Sequence, residues 1–173
     1  MGSTGTLLTF KPRPSHGRIC LVAISFLTLP LTIVPAIQSA EQIPLLMLVV
    51  IVGLGVAIII SGLALALWFP TMRYELDDQT LTLHYGPVLS YRIVLSTIRR
   101  IRRRNLSLSI WSSIRFPGIA LFTVPCSNVG NLIMCATAAA NGVLLIETDH
   151  ATYGLTPTDE EEFIAAIKAR LKR

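Results

Sequence analysis

The sequence predicts an α+β membrane protein: a two-helix transmembrane hairpin, then a small β-barrel with a closing C-terminal α-helix. Three observations carry this. Two long uncharged apolar runs fill residues 19–69, the apolar period drops to two beyond Met72, and the chain ends on an amphipathic helical pattern. A mean hydropathy of +0.62 over 173 residues is not that of an ordinary soluble domain. Residues 1–18 read as a basic cytoplasmic tail, 19–69 as the hairpin and 70–173 as the soluble domain. The last part is long enough for one compact core.

The first apolar run is "ICLVAISFLTLPLTIVPAIQ", Ile19 to Gln38, and the second "IPLLMLVVIVGLGVAIIISGLALALWF", Ile43 to Phe69. A hydrocarbon core of roughly 30 Å needs about 20 helical residues, so each run suffices. Only "SAEQ" separates them, which demands a tight hairpin. Pro44 suits the first turn of the second helix, Pro70 ends it beside the interfacial Trp68, and Pro30 and Pro35 predict a kinked first helix. A cleaved signal peptide competes for the first run, since "KPRPSHGR" precedes it. Gln38 at the −3 position of the "IQSA" site and the length of the run favour a retained span. Lys11, Arg13 and Arg18 precede the first span, Glu41 is alone in the hairpin loop, and Arg73 follows the second. The positive-inside rule then puts both termini in the cytoplasm of a cell with an inner membrane. Gly53, Ala57 and Ser61 share one face of the second span, and such spacing lets helix backbones approach closely. Packing on the first span is the preferred reading, docking on another membrane protein the alternative.

Beyond the spans, Met72, Tyr74 and Leu76 alternate, "DDQ" turns the chain, and Leu81, Leu83 and Tyr85 alternate again, which is a hairpin. "GP" at 86–87 makes a second turn, and Tyr91, Ile93 and Leu95 share a face. Further strands are expected at Leu106–Trp111, Ile119–Val124, Asn131–Ala136, Gly142–Glu147 and Thr152–Leu155. Short strands at this spacing suggest a barrel or sandwich. In "TPTDEEEF", Thr156 is a candidate N-cap before Pro157, and Thr158 with Glu161 a candidate capping box. Phe163, Ile164, Ile167 and Leu171 form the apolar stripe of the last helix.

"RFPGIALFTV" with "GNLIMCATAAANGVLLIETDHATYGLTPTDEEEFIAAI" resembles the bacterial pleckstrin-homology-like domain, whose last strands run into a C-terminal helix through such an ending. "YELDDQTLTLHYG" and "YRIVLSTI" resemble its opening strands. The similarity covers roughly residues 71–172, and two N-terminal spans before the domain are a habit of the family. The resemblance implies a seven-stranded, partly open barrel capped by a helix, and a binding or assembly module. It brings no catalytic residues.

The residues themselves carry little chemistry. Cys20, Cys126 and Cys135 form no CxxC pair, and His16, His84 and His150 sit in no metal-binding spacing. No phosphate loop or nucleophile elbow occurs, so no cofactor, metal or enzyme activity is expected. Asp77 and Asp78 suit a turn, and Glu160, Glu161 and Glu162 suit a helix N-terminus. Glu147 and Asp149 are an acidic pair with no visible partner base.

The remaining feature is "IRRIRRRN", which holds Arg99, Arg100, Arg102, Arg103 and Arg104. As a strand it places Arg100, Arg102 and Arg104 with Ile98 on one face. As a helical turn it places Leu95, Ile98 and Ile101 inward. A nucleic acid is not the expected partner, because no aromatics interleave the run. Membrane lipid, or a membrane-protein partner or second copy, is preferred over the plainer reading of an edge strand guarded by its own charge. The function expected is a non-enzymatic, membrane-anchored interaction or assembly module, an accessory subunit of a larger complex. The alternative is a module that responds to anionic lipid without a protein partner.

Overall fold

The computed structural model describes residues 7–38, 43–106, 115–116, 118–126, 130–138 and 140–171. Helix α1 covers Gly17–Gln38 and continues through Pro30 and Pro35; helix α2 covers Leu45–Trp68. Pro44 stands one position ahead of α2, and its carbonyl accepts the N–H of Met47 at 2.9 Å. Both helices are long and apolar enough to cross a membrane. Phe26, Leu31, Leu46 and Ile60 are each more than 60% exposed, which a soluble core helix would not allow.

The two helices meet along Gly55, Gly62 and Ala66, which replaces the expected packing face. A Cβ at Gly55 would lie 2.7 Å from the Thr32 methyl, and one at Gly62 would strike Ser25 Oγ. Ala66 is buried, whereas Gly53, Ala57 and Ser61 are exposed, Ala57 and Ser61 lining an open groove with Leu21, Ile24 and Ser25 of α1. Both sets are small residues at helical spacing, and composition alone does not separate them.

Among the described residues ten strands follow or flank these helices. A four-stranded antiparallel sheet has the order β1 (Leu8–Phe10), β2 (Arg73–Leu76), β3 (Thr80–Tyr85), β4 (Leu89–Val94). A six-stranded sheet contains β5 (Ile98–Arg104), β6 (Arg115–Phe116), β7 (Ile119–Cys126), β8 (Gly130–Ala136), β9 (Val143–Thr148) and β10 (Thr152–Leu155), in the order β5-β9-β10-β8-β7-β6. The sheets do not close into one barrel, so the fold is the partly open kind. Nine strands lie beyond the spans in the described fold, where the resemblance implied seven: the arginine run as β5 and the two-residue β6 come in addition to the expected strands, which end in a β9–β10 hairpin. That hairpin slots β10 beside β8 in parallel register, Thr152 opposite Leu132. The Leu106–Trp111 strand falls largely outside the described residues; Leu106 itself is buried but not in a strand.

The alternation in β2 and β3 does what its spacing predicts: Tyr74, Leu76, Leu81, Leu83 and Tyr85 are fully buried between the sheets. In β7–β9 the apolar runs are continuous because that sheet is covered on both faces. Leu121, Cys135, Leu144 and Ile146 line one side, and Val124, Leu132, Met134 and Leu145 the other. Helix α3 (Glu160–Leu171) closes the open side with Phe163 and Ile167.

Two expectations at the edges are corrected. The N-terminal segment is not a tail separate from the domain: β1 pairs with β2, Leu8 opposite Leu76, and Phe10 meets Phe163 edge-on at 5.1 Å. Nor do Thr156 or Thr158 cap α3. The first helical bond runs from Phe163 N–H to the Asp159 carbonyl. Thr156 Oγ1 instead accepts the Thr137 N–H at 2.8 Å, and Thr158 Oγ1 donates to the Pro12 carbonyl at 2.9 Å. Of the two hydroxyls that read as caps, that of Thr158 holds the N-terminal segment and that of Thr156 holds Thr137.

Candidate interaction surface

The arginine run forms β5, at one end of the six-stranded sheet, paired only with β9 among the described residues. Its register shifts between Ile98 and Arg100. That bulge is why Ile98 and Ile101, three residues apart, both pack on the core, which a regular strand forbids. Leu95 is buried in the 3-10 turn just before. The run therefore combines the two alternatives: strand pairing with an inward Leu95–Ile98–Ile101 spacing.

Most of its charge is matched within the chain. Arg102 lies opposite Leu145, so Glu147 is its diagonal neighbour on the same face. Its Nε donates to Glu147 Oε1 at 3.0 Å and Nη2 donates to the same oxygen. Arg99 donates to Asp149 Oδ1, and this carboxylate pushes the guanidinium pKa higher still. Glu147 and Asp149, an acidic pair without a visible base in the sequence, thus have the arginines of β5 as partners. Arg103 Nη1 lies 3.4 Å from Glu160 Oε2, which Arg13 approaches at 3.9 Å. Gly142, at φ +62°, sits beneath both guanidiniums; a Cβ there would be 3.0 Å from Arg103 Nη2. Arg100 and Arg104 are exposed and have no carboxylate within 4 Å among the described residues.

Register fixes which end of the domain each arginine occupies. Arg103 lies opposite Leu144, which pairs with Leu155, then Cys135, then Leu121 near the start of β7. The turn before β7 holds Gly118, against which α1 begins. Arg99 is instead at the far end, beside the β9–β10 turn, where Asp149 N–H donates to the Thr97 carbonyl. At about 3.3 Å per residue, Arg100 stands roughly 13 Å farther than Arg104 from the end that carries the helices.

The helices join the domain at that near end. Ser15 Oγ donates to the Gly118 carbonyl at 2.6 Å, and Gly17 is pressed against the same carbonyl. Tyr85 Oη donates to the Leu65 carbonyl at 2.6 Å, and Gly86 packs on Trp68, where a Cβ would be 2.8 Å from the side chain. Leu21 and Ala66 belong to the same buried cluster as Tyr85, Ile119 and Leu121. The core between the sheets therefore runs without interruption into the start of α1 and the last turn of α2.

On the outer face of the four-stranded sheet, Glu75 Oε1 accepts from Arg73 Nε at 2.6 Å and Oε2 lies 3.1 Å from His84 Nε2. The Arg73 hydrogen bond, with help from His84, holds the Glu75 carboxyl below the usual carboxylate range, against the opposing effect of burial. His84 is a strand residue with a cross-strand partner. No group of three or more His, Cys, Asp or Glu among the described residues is placed to hold a metal.

A family model described as Bacterial PH domain matches residues 72–171, more than half of the chain. Comparison with curated proteins and with solved structures returned no match.

Proposed function

The chain belongs to the bacterial PH domain family, and from that premise we propose that it is a non-enzymatic, membrane-anchored interaction module. We place it as an accessory subunit of a larger inner-membrane assembly, with both termini in the cytoplasm. The family suggests a membrane- or protein-interaction module, and the two apolar helices suggest membrane association. One observation carries the finer reading: the domain is joined to both helices through a continuous core and not through a linker. A module that must offer one surface at a fixed height and attitude above the bilayer is built this way; a tethered recruiter needs only slack.

The partner surface in the membrane is the face of α2 bearing Gly53, Ala57 and Ser61, which α1 leaves uncovered. On the cytoplasmic side, Arg100 and Arg104 are the members of the run left for contact with lipid or a partner. The test is to purify the full-length chain in mild detergent and identify what stays bound by mass spectrometry. A stoichiometric membrane protein, lost on Ala57→Leu while the chain remains monodisperse, supports the assembly reading. A lone monomer with the same behaviour in both forms overturns it.

Contact with anionic lipid, without a protein partner, is the second reading. It is favoured by the position of Arg104 at the end of the domain nearest the helices. The acidic start of α3 at that same end, Asp159 through Glu162, opposes it and keeps it second. Retention of anionic over zwitterionic lipid in the same preparation, reduced by Arg104→Gln, would move it to first.

A further inference from the structure

The two helices are fixed to different sheets. Helix α1 meets the six-stranded sheet: Ser15 Oγ donates to the Gly118 carbonyl and Gly17 abuts that residue in the turn before β7. Helix α2 meets the four-stranded sheet: Tyr85 Oη reaches the Leu65 carbonyl, and Gly86 N–H donates to Thr71 Oγ1 at 2.8 Å. Thr71 Oγ1 in turn donates to the Trp68 carbonyl at 2.7 Å. Between these attachments Leu21 and Ala66 fill the gap between the sheets as part of the same core. A third link spans the sheets at the side. β1 pairs with β2, while Arg13 N–H donates to the Thr156 carbonyl and the Arg13 carbonyl accepts from Thr137 Oγ1, both at 2.7 Å.

We propose that the hairpin and the domain form one mechanical unit, in which the spacing of α1 and α2 sets the opening between the two sheets at their membrane end. A close-packed interior transmits displacement because it has little free volume to absorb it. A shift of α2 against α1 must therefore either move Gly86 relative to Gly118 or break one of the named bonds. The coupling is reciprocal: whatever grips the domain and alters the sheet opening biases the helices by the same free energy. It is a property of the single chain, so it stands or falls independently of whether a membrane partner is recovered.

The helix contact itself supplies the lock for a test. A Cβ on Gly62 would lie 3.6 Å from Ser25 Cβ, within the separation that a disulfide spans, so Ser25→Cys with Gly62→Cys allows the two thiols to bond. In a Cys20→Ser background, full-length protein in lipid nanodiscs is compared oxidised and reduced by hydrogen–deuterium exchange. Locking is expected to slow exchange about threefold or more in peptides holding residues 85–89 and 118–121. The distant β9–β10 turn, residues 148–151, should change less than about 1.5-fold. Adding Tyr85→Phe, which deletes the bond to α2, should abolish the effect at 85–89 while leaving the effect at 118–121. Unchanged exchange at both membrane-end turns overturns the proposal, and so does uniform slowing that includes 148–151. Failure of the disulfide to form overturns it too, because the helix contact on which it rests would then be wrong.

Discussion

At the scale of single residues, close approach decides more than charge. Gly118 has φ +90°, and a Cβ there would lie 2.5 Å from Gly17 N and 2.8 Å from its Cα. Gly130 has a similar φ of +81° but open space around it. Gly130→Ala should therefore cost only the left-handed backbone penalty, about 1–2 kcal/mol. Gly118→Ala should add overpacking of roughly 1–3 kcal/mol and wedge α1 off the domain. Thermal unfolding of both variants in detergent separates the two effects; equal losses would mean that the Gly17–Gly118 contact contributes nothing. A second residue-scale prediction concerns Cys135, whose thiol burial pushes up to about 12. The folded state then keeps a proton that the unfolded chain sheds. Stability should be unaffected below the ordinary thiol value of 9.0 and fall as pH rises from there toward about 12. In a background lacking Cys20 and Cys126, a maleimide at pH 8 should label Cys135 only after denaturation, read by mass. These features are hard to see in sequence. Alternation made Tyr74 and Leu83 legible as core, but nothing local to Gly118 or Gly62 reveals which backbone will press on it.

At the scale of elements, most of what periodicity can express was legible: the two apolar helices, the β2–β3–β4 meander, β7 to β10 and α3. What periodicity cannot express is pairing between distant segments. Leu8–Phe10 is too short to show a period, and its partner β2 lies beyond both helices. The arginine run was legible as basic but not as matched, because Glu147, Asp149 and Glu160 reach it only through the β5–β9 register and the start of α3. The bulge at Ile98 likewise made strand and turn both partly right. The N-terminal strand carries a prediction of its own. Phe10 is 9% exposed and stacks edge-on with the fully buried Phe163. Phe10→Ala should cost about 3–5 kcal/mol. Deleting residues 2–12 should cost at least as much, because it also uncovers the β2 edge and leaves Thr158 without its carbonyl partners. Urea or thermal unfolding of the full-length variants measures both. A fragment beginning at residue 71 would lack β1 and should aggregate where the full chain does not; an equally stable fragment would show β1 to be ornamental.

At the scale of the whole molecule, the pairing of β1 with β2 has a topological consequence. The segments before α1 and after α2 are hydrogen-bonded in one sheet, so the hairpin must deliver both to the same side of any membrane it crosses. Charge points to which side. Lys11 and Arg13 precede one helix, Arg18 lies in its first turn and Arg73 follows the other, while among the ionisable residues of the connecting segment there is only Glu41. Reporter tags at the two termini should therefore be accessible together in inverted vesicles and protected together in spheroplasts, as read by protease digestion. The pairing and the charge rule can be tested separately. Changing Lys11, Arg13, Arg18 and Arg73 to Gln while adding lysines among residues 39–42 biases the hairpin toward inversion. Because β1 and β2 need each other, the two termini should then move as a pair or the chain should be degraded. A stable population with one terminus on each side would require the β1–β2 ladder, the Phe10–Phe163 contact and the Arg13–Thr156 bond all to be dispensable. That outcome would dissolve the single folding unit on which the fixed attitude of the domain depends.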